Sequence, residues 1–358
     1  MMGFSFFSRQ KSLLGLDIGS GAIKLVQLRK QGNGYKLESF GVKPLESELI
    51  VDGTIMDGER VVSVIRELLD EHAIKEKNVA FSVSGHSVIV KKIQLPTMSE
   101  DELDESIKWE AEQYIPFDIN DVNIDFSILD TMDGDEVSDQ MDVLLVAVKK
   151  EKLTEYTTLV TAAGLTPMVV DVDAFTLENM FGLNYEVMDG EIVALVDIGA
   201  SVMNINVIKG GAFVFTRDIS IGGNRYTETI QREFNVNYEQ AEQAKRGEAV
   251  DGIDPEMLSN IIGLLNDKIV SEVVRSFDYF KTTSNNEEID RILISGGGAK
   301  VSNLSSCLAE KSEIPVEMAN PFKNIEIPEG RFDLDFVKEM APLASVGVGL
   351  ALREVGDR

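Results

Sequence analysis

Apolar and polar residues along this chain follow two periods, and one block of period two occurs twice. Leu14-Gly15-Leu16-Asp17-Ile18-Gly19-Ser20-Gly21 returns as Ala194-Leu195-Val196-Asp197-Ile198-Gly199-Ala200-Ser201. Each copy then continues in an extended run (22–28; 202–208), meets a glycine turn (Gly32-Asn33-Gly34; Gly210-Gly211) and enters a third extended run. Alternation such as Asn204-Ile205-Asn206-Val207 marks a strand, whose side chains point to opposite faces in turn. Two copies of a three-stranded meander therefore predict two like-folded halves.

Between the copies the period becomes helical. Val61, Val62, Ile65, Leu68 and Leu69 share one helical face. Ser99 and Glu102 have capping-box spacing and open a helix over 99–114, with a stripe of Leu103, Ile107, Ala111 and Tyr114, ended by Pro116. Residues 79–84, 88–95 and 143–148 read as strands, and Leu153, Tyr156, Val160 and Ala163 as a helix closed by Gly164. This strand-helix-strand-helix run over 86–162 reads as an inserted block, with the acidic stretch 130–142 as a loop inside it. After the second copy, 227–234, 238–246 and 261–280 read as helices. Ile292-Leu293-Ile294-Ser295 reads as a short buried strand running into Gly296-Gly297-Gly298, then 299–308 as a helix and 341–352 as a buried closing helix. No Pro/Gly/Ser-rich linker intervenes, so these α/β parts are expected to share one body.

Composition narrows the function. The 358 residues carry a formal net charge of −27, which repels a phosphate backbone and argues against nucleic-acid binding. One cysteine, Cys307, forms no internal disulfide, and with only His72 and His86 the chain lacks the donors of a structural zinc site. A Ser-His-acid triad would have to use one of those two histidines. No run of about 20 apolar residues offers a membrane span. The start, Phe4 to Lys11, has its charges on the wrong side for a signal peptide. A cytoplasmic protein is expected, with that start packed on the body rather than anchored in a membrane.

The glycine turns carry the candidate chemistry. A dinucleotide-binding unit would place a helix directly after such glycines, but a strand follows here; no GxxxxGK[ST] occurs either. Bare backbone at a strand end lets successive N–H groups approach an anion. A carboxylate beside phosphates needs an intervening cation, so Asp17 and Asp197 read as outer-shell Mg²⁺ ligands holding the metal through water. Gly19, Ser20, Gly21 and Gly199, Ala200, Ser201 would wrap a polyphosphate from two sides. Lys24, three residues past Gly21, would reach a phosphate; the second copy has Asn204 at that place. Gly296, Gly297 and Gly298 would pass close to a base or phosphate.

In this order the motifs resemble the actin/Hsp70/hexokinase superfamily over nearly the whole chain. The likeness implies an actin-like (ribonuclease H-like) fold with ATP in a cleft between the halves. It implies that Gly164 to Met180 and 341–352 are connecting helices at a hinge, and that Glu242 and Lys245 hold ribose and adenine. It adds Asp173 to Asp17 and Asp197 as a residue serving metal and water; the superfamily often has Gln or Glu there, so slow turnover is expected. Within the superfamily the chain is similar to the PilM family of type IV pilus assembly, and next to FtsA. The likeness rests on the Phe-rich start, Val51-Asp52-Gly53-Thr54-Ile55, Glu110-Ala111-Glu112-Gln113-Tyr114-Ile115-Pro116-Phe117 and Val170-Asp171-Val172-Asp173. An FtsA would add a C-terminal tail with a membrane-binding amphipathic helix; here Arg358 closely follows the apolar run, which favours PilM.

That resemblance implies a subdomain plan: 1A over 1–85 with 163–189 and 322–358, an inserted 1C over 86–162, 2A over 190–225 with 268–321, and 2B over 226–267. It implies a scaffold at the cytoplasmic face of the inner membrane, brought there by its partner. The partner would be PilN, through its N-terminal cytoplasmic peptide in a groove between 1A and 1C. Trp109, Tyr114, Ile115 and Phe117 are the groove candidates. Other inner-membrane and motor proteins of the pilus machine, self-association and a role in twitching motility follow as further expectations. Two alternatives share the fold: a small-molecule kinase, which needs an acceptor pocket with a carboxylate base, and a chaperone ATPase, whose ATPase half alone would take this length.

Overall fold

The computed structural model describes residues 13–51, 53–129 and 139–356. The Phe-rich start, Asp52 and the acidic residues 130–138 lie outside them. In chain order the elements are β1 (Leu14–Ile18), β2 (Ala22–Gln31), β3 (Gly34–Pro44), β4 (Ile50–Val51), β5 (Thr54–Ile55), α1 (Gly58–Glu71), β6 (Asn78–Val83), β7 (Val88–Pro96), α2 (Glu100–Ala111), β8 (Val122–Leu129), β9 (Gln140–Lys149), α3 (Lys150–Ala162), β10 (Thr166–Val172) and α4 (Asp173–Asn184). The second half adds β11 (Ile192–Ile198), β12 (Met203–Lys209), β13 (Ala212–Ile219), α5 (Asn224–Phe234), α6 (Tyr238–Lys245), α7 (Pro255–Thr283), β14 (Arg291–Ser295), α8 (Leu304–Ser312), β15 (Val316–Met318), β16 (Ile325–Glu326), α9 (Leu334–Met340) and α10 (Ser345–Ala351).

The doubled sequence block is a doubled structure. β1 and β2 pair antiparallel with Asp17 opposite Lys24; β11 and β12 pair with Asp197 opposite Asn204. Both hairpins turn the same way: Gly19 N–H donates to Ala22 O at 3.2 Å, and Gly199 N–H to Val202 O at 3.0 Å. β3 and β13 complete the two meanders. Each first strand also pairs in parallel with a later one, β1 with β6 and β11 with β14. The first sheet runs β10-β6-β1-β2-β3-β16 and the second β13-β12-β11-β14-β15.

Among the described residues, three of the hydrophobic cores belong to the two large sheets. α1 and α3 close on the first sheet through Ile65, Leu68, Tyr156 and Leu159, against Leu16, Leu25 and Phe81. α7 and α8 cover the second sheet through Ile269, Phe277 and Leu308, against Val196, Ile205 and Ile294. The third core draws on both halves: Val26 and Leu28, Leu195 and Ile208, Leu177 and Phe181 of α4, and Val346, Val348 and Leu350 of α10. Each such buried aliphatic contributes about 1.5–3 kcal/mol, so α4 and α10 are the cement between halves. α10 comes in so close that a Cβ on Gly15 would lie 2.3 Å from Gly347 O, and one on Gly349 1.9 Å from Thr176 O.

The inserted block departs from the expected pattern in several places. It is a three-stranded sheet in the order β7-β9-β8, so β8 was missed, and β9 begins at Gln140, inside the expected loop. α2 has its capping box, with Ser99 N–H donating to Glu102 Oε2 at 2.8 Å and Glu102 N–H to Ser99 Oγ at 3.3 Å. It stops at Ala111 and gives way to a turn over 112–114, because Pro116 has no N–H to continue the helix and its ring would clash with the carbonyl of Glu112, four residues back. α3, placed in the inserted block by the sequence, packs Tyr156, Leu159 and Val160 into the first sheet's core instead.

Elsewhere the segment 164–180 is not one connecting helix. Thr166–Val172 is a strand paired with β6, as its β-branched Val169, Val170 and Val172 favour, and the helix starts only at Asp173. Over 299–308 a short 3₁₀ turn precedes α8, separated by Asn303 at φ 61°. Over 341–352 a 3₁₀ turn containing Pro342 precedes α10. α7 starts six residues before its expected beginning, where Asp254 caps Met257 N–H ahead of Pro255 at the first helical position.

Candidate functional site

The first hairpin delivers Asp17 and Lys24 to one place because they are register partners on β1 and β2. Lys24 Nζ lies 3.0 Å from Asp17 Oδ2, with both side chains largely buried. Burial pushes the Asp17 carboxyl above its ordinary range; Lys24 pulls it back and Asp173 pushes it up again. Burial works against the Lys24 ammonium, but Asp17, Asp197 and Asp173 outweigh it and hold its pKa above the ordinary value. The lysine therefore stays charged.

The second hairpin presents Asp197 without a lysine of its own. Its carboxyl is pushed up to about 6, first by burial. The Ser295 hydroxyl, donating at 2.6 Å, and the Lys24 charge oppose this, while Asp17 and Asp173 add to it. Asp173, the first residue of α4, thus shares one field with Asp17, Asp197 and Lys24. Three carboxylates with one buried ammonium leave an excess of negative charge that a cation would relieve.

The glycines close the site. A Cβ on Gly21 would be 2.9 Å from Ala200 Cβ, so the two turns touch across the halves. Ser20 is half-buried at the first turn, and Ser201 Oγ accepts from Asn224 Nδ2 at 3.2 Å at the second. After β14, Gly296 sits at φ 85° with its N–H on Pro342 O at 2.8 Å, and a Cβ there would lie 2.4 Å from Ile198 O. Gly297 is exposed, and a Cβ on Gly298 would lie 2.6 Å from Ile198 Cγ2. Lys245 and Glu242, one turn apart on α6, form an ion pair, and Lys245 Nζ lies 3.0 Å from Thr227 Oγ1. Burial lowers the Lys245 pKa against the pull of Glu242.

Sequence reasoning missed the floor between these parts. Gly222 and Gly223 precede α5, with Gly223 N–H on Gly199 O at 2.9 Å and Asn224 N–H on Ala200 O at 2.8 Å. A Cβ on Gly223 would stand 3.6 Å from Gly199 O, 3.6 Å from Lys245 Nζ and 3.7 Å from Gly298 Cα. The second turn, the Gly296–298 turn and Lys245 thus converge on one bare stretch of backbone. The signal was present as a glycine pair directly before a helix, without a partner copy to expose it. Missed too were Asp218 and His86, which line a cavity of about 480 Å³ with Asp173, Asn204, Pro116 and Phe117.

The groove candidates do not share one surface. Trp109 is 79% exposed on α2, whereas Ile115 is 5% exposed in the inserted block's core and is a packing residue. Tyr114 and Phe117 pack partly buried against that core, and Lys149 Nζ sits 4.3 Å over the Phe117 ring.

A family model described as type IV pilus assembly protein PilM matches residues 15–355. This chain belongs to the PilM family. A solved PilM-PilN type IV pilus biogenesis complex is similar at 28% identity and a TM-score of 0.85, over 97% of this chain and all of that one. The ethanolamine utilization protein EutJ from Carboxydothermus hydrogenoformans matches at 15% identity and a TM-score of 0.56, over 96% and 89% of the two chains. MreB5 of Spiroplasma citri bound to AMPPNP matches at 13% identity and 0.51, over 95% and 94%. The PilM family member described here has the actin-like α/β fold of these proteins.

Proposed function

We propose that this PilM family member is a nucleotide-gated scaffold of the type IV pilus inner-membrane assembly platform. ATP binds between its two halves, and the N-terminal cytoplasmic peptide of a PilN-type partner binds in the groove between 1A and the inserted 1C. The observation that carries the nucleotide half is the cradle at Gly223, where three chain segments and Lys245 face one another with no side chain between them. In it, the N–H groups of Ser20, Gly21, Ala200 and Ser201 hold phosphates from both sides, the bare Gly19 and Gly199 close the two turns, and Lys24 neutralises one of the phosphates. Asp17 and Asp197 would hold Mg²⁺ through water, since two buried carboxyls with raised pKa values gain from a cation beside them. Mg²⁺ when bound would screen phosphate charge. Asp173 orients water, Glu242 and Lys245 hold the ribose and base, and Gly296–Gly298 pass under the base.

The partner half rests on the likeness to the PilM-PilN complex. The reading divides the chain into 1A, 1C, 2A and 2B as above, except that α3 joins 1A. On this reading the partner supplies membrane attachment at the cytoplasmic face; among the described residues no helix is long and apolar enough to cross a membrane. Closure of the halves about α4 and α10 gates the block. The test is calorimetric titration of the full chain with MgATP beside Asp17→Ala and Asp197→Ala, with single-turnover hydrolysis on the same samples. Binding lost in the variants, with turnover slower than about one per minute against typical enzyme rates of about 1–10³ per second, supports the scaffold. Absence of binding refutes the nucleotide half. A PilN N-terminal peptide that fails to bind refutes the other.

A further inference from the structure

Superposing the two copies in register isolates one residue. In the first half, Asp17 faces Lys24, and Lys24 faces Val42 on β3. In the second, Asp197 faces Asn204, and Asn204 faces Asp218 on β13. The second copy has exchanged a phosphate-reaching cation for a neutral amide and has added an acid one strand further out. That acid is engaged from both sides. Asn204 Nδ2 donates to Asp218 Oδ1 at 2.7 Å, and Gly85 N–H, from the first half, donates to Asp218 Oδ2 at 2.5 Å. Beside it, Ser220 Oγ and His86 Nε2 form a hydrogen bond of 2.8 Å. Gly85 and His86 belong to the short link between β6 of the first sheet and β7 of the inserted sheet. Gly85 adopts φ 84°, a conformation that aims its N–H out of the strand direction and that other residues rarely take.

The chain therefore contains an unbroken path: second phosphate turn, Asn204, Asp218, Gly85, inserted block. We infer that Asp218 is a positioning residue that latches the second half to the joint of the inserted block, so that nucleotide in the cleft and the orientation of that block are set together. The inference rests on the nucleotide site proposed above and adds how its state leaves the cleft. Burial raises the Asp218 carboxyl pKa, opposed by the Asn204 and Gly85 hydrogen bonds that favour its charged form. Strand β13 is the edge of its sheet and β7 the edge of the inserted sheet. Among the described residues no sheet pairing joins these two edges, and the Asp218–Gly85 and Ser220–His86 bonds run between the two parts.

The experiment uses the full chain with Cys307→Ser and spin labels at Glu112→Cys on the inserted block and Glu310→Cys on α8. Inter-label distances are read without ligand and across a MgATP titration, beside thermal melts. With Asp218 present, one narrow distance is expected without ligand, moving to a second on titration. Asp218→Ala should broaden the ligand-free distribution and raise the MgATP concentration for half-conversion at least about tenfold, the scale of a lost hydrogen bond to a charged group. Asp218→Asn, which keeps an acceptor for Gly85, should stay within about threefold of the parent. An effect on melting temperature alone, with unchanged distances and midpoint, overturns the latch. If Asp218→Ala does not fold, His86→Ala at the exposed end of the latch decides: a broadened distribution supports it and an unchanged one overturns it. If the parent fails to bind MgATP, the nucleotide reading falls, and the ligand-free distributions of parent and Asp218→Ala judge the latch alone.

Discussion

Replacing Gly223 by alanine separates ligand binding from stability. The backbone there is right-handed helical, φ −57° and ψ −30°, so alanine needs no strain. Its Cβ would find neighbours at 3.6 to 3.7 Å, ordinary van der Waals contact. Removing a glycine lowers the conformational entropy of the unfolded chain and stabilises by about 0.4–1 kcal/mol where the backbone is compatible. The ligand-free melting temperature should therefore hold or rise by about one degree. Yet those neighbours are Gly199 O, Lys245 Nζ and Gly298 Cα. The methyl enters the space between the second phosphate turn, the Gly296–298 turn and the α6 lysine. A nucleotide that needs this space must shift by a substantial fraction of an ångström, or give up a hydrogen bond worth about 1.4 kcal/mol, which is tenfold in affinity. MgATP titration calorimetry on both proteins reads the loss, and differential scanning calorimetry reads stability. The neighbour Gly222 is the control: a Cβ there would be 2.5 Å from Gly199 O, backbone against backbone, so Gly222→Ala should destabilise outright. Unchanged MgATP affinity in a stable Gly223→Ala protein would refute the assignment of the cradle.

Three further outcomes are expected. Gly349→Ala, forced 1.9 Å from Thr176 O, should cost about 1–3 kcal/mol or more in a melt, whereas Gly182→Ala on α4, with nothing within 4 Å, should be neutral or stabilising. Asp197 holds a pKa of about 6 against an ordinary 3.8, so the folded state keeps its proton longer and loses stability as pH rises between those values; Asp197→Asn should therefore raise ligand-free stability at pH 8 by up to about 3 kcal/mol and leave pH 3.5 unchanged, and an equal gain at both would contradict the burial argument. Trp109 is the chain's one tryptophan and is 79% exposed; Trp109→Ala should change stability by less than about 0.5 kcal/mol, and if α2 borders the partner groove, a PilN N-terminal peptide should shift the parent's emission to the blue.

What could be read from the sequence depended on whether a signal was repeated or local. The two hairpins were legible because the same Asp-Ile-Gly block occurs twice with the same strand to follow, and both copies close with the same glycine hydrogen bond. The capping box of α2 was legible because both partners lie within four residues. Strand β8 carries a clean alternation, Val122-Asn123-Ile124-Asp125-Phe126, but beyond the buried Val122 its inward residues are only partly buried and it adjoins an acidic stretch, and the sequence reading assigns no element there. The strand–helix switch at Val172–Asp173 was obscured because the segment is apolar under either period; pairing with β6, far away in sequence, decides it. α3 was assigned to the wrong body for the same reason: an amphipathic stripe says that a face is buried, not against what.

The site divides along the same line. Residues that act through their own turn, Asp17, Lys24, Asp197 and the glycines after them, follow from spacing, because register partners on a hairpin are neighbours in sequence. Residues that act across the halves do not. Gly223 meets Lys245 and Gly298 from three different parts of the chain, and Asp218 meets Gly85 from 133 residues away. For Asp218 the repeat offers a route: where two copies match, a position at which they differ marks what one half does and the other does not. Lys24 against Asn204 is such a position, and it leads to Asp218. On the proposed reading, a second half that carried lysine in place of Asn204 would lose the amide that donates to Asp218 Oδ1. If that reading holds, the asymmetry lets one half bind charge while the other relays how closely the two have come together.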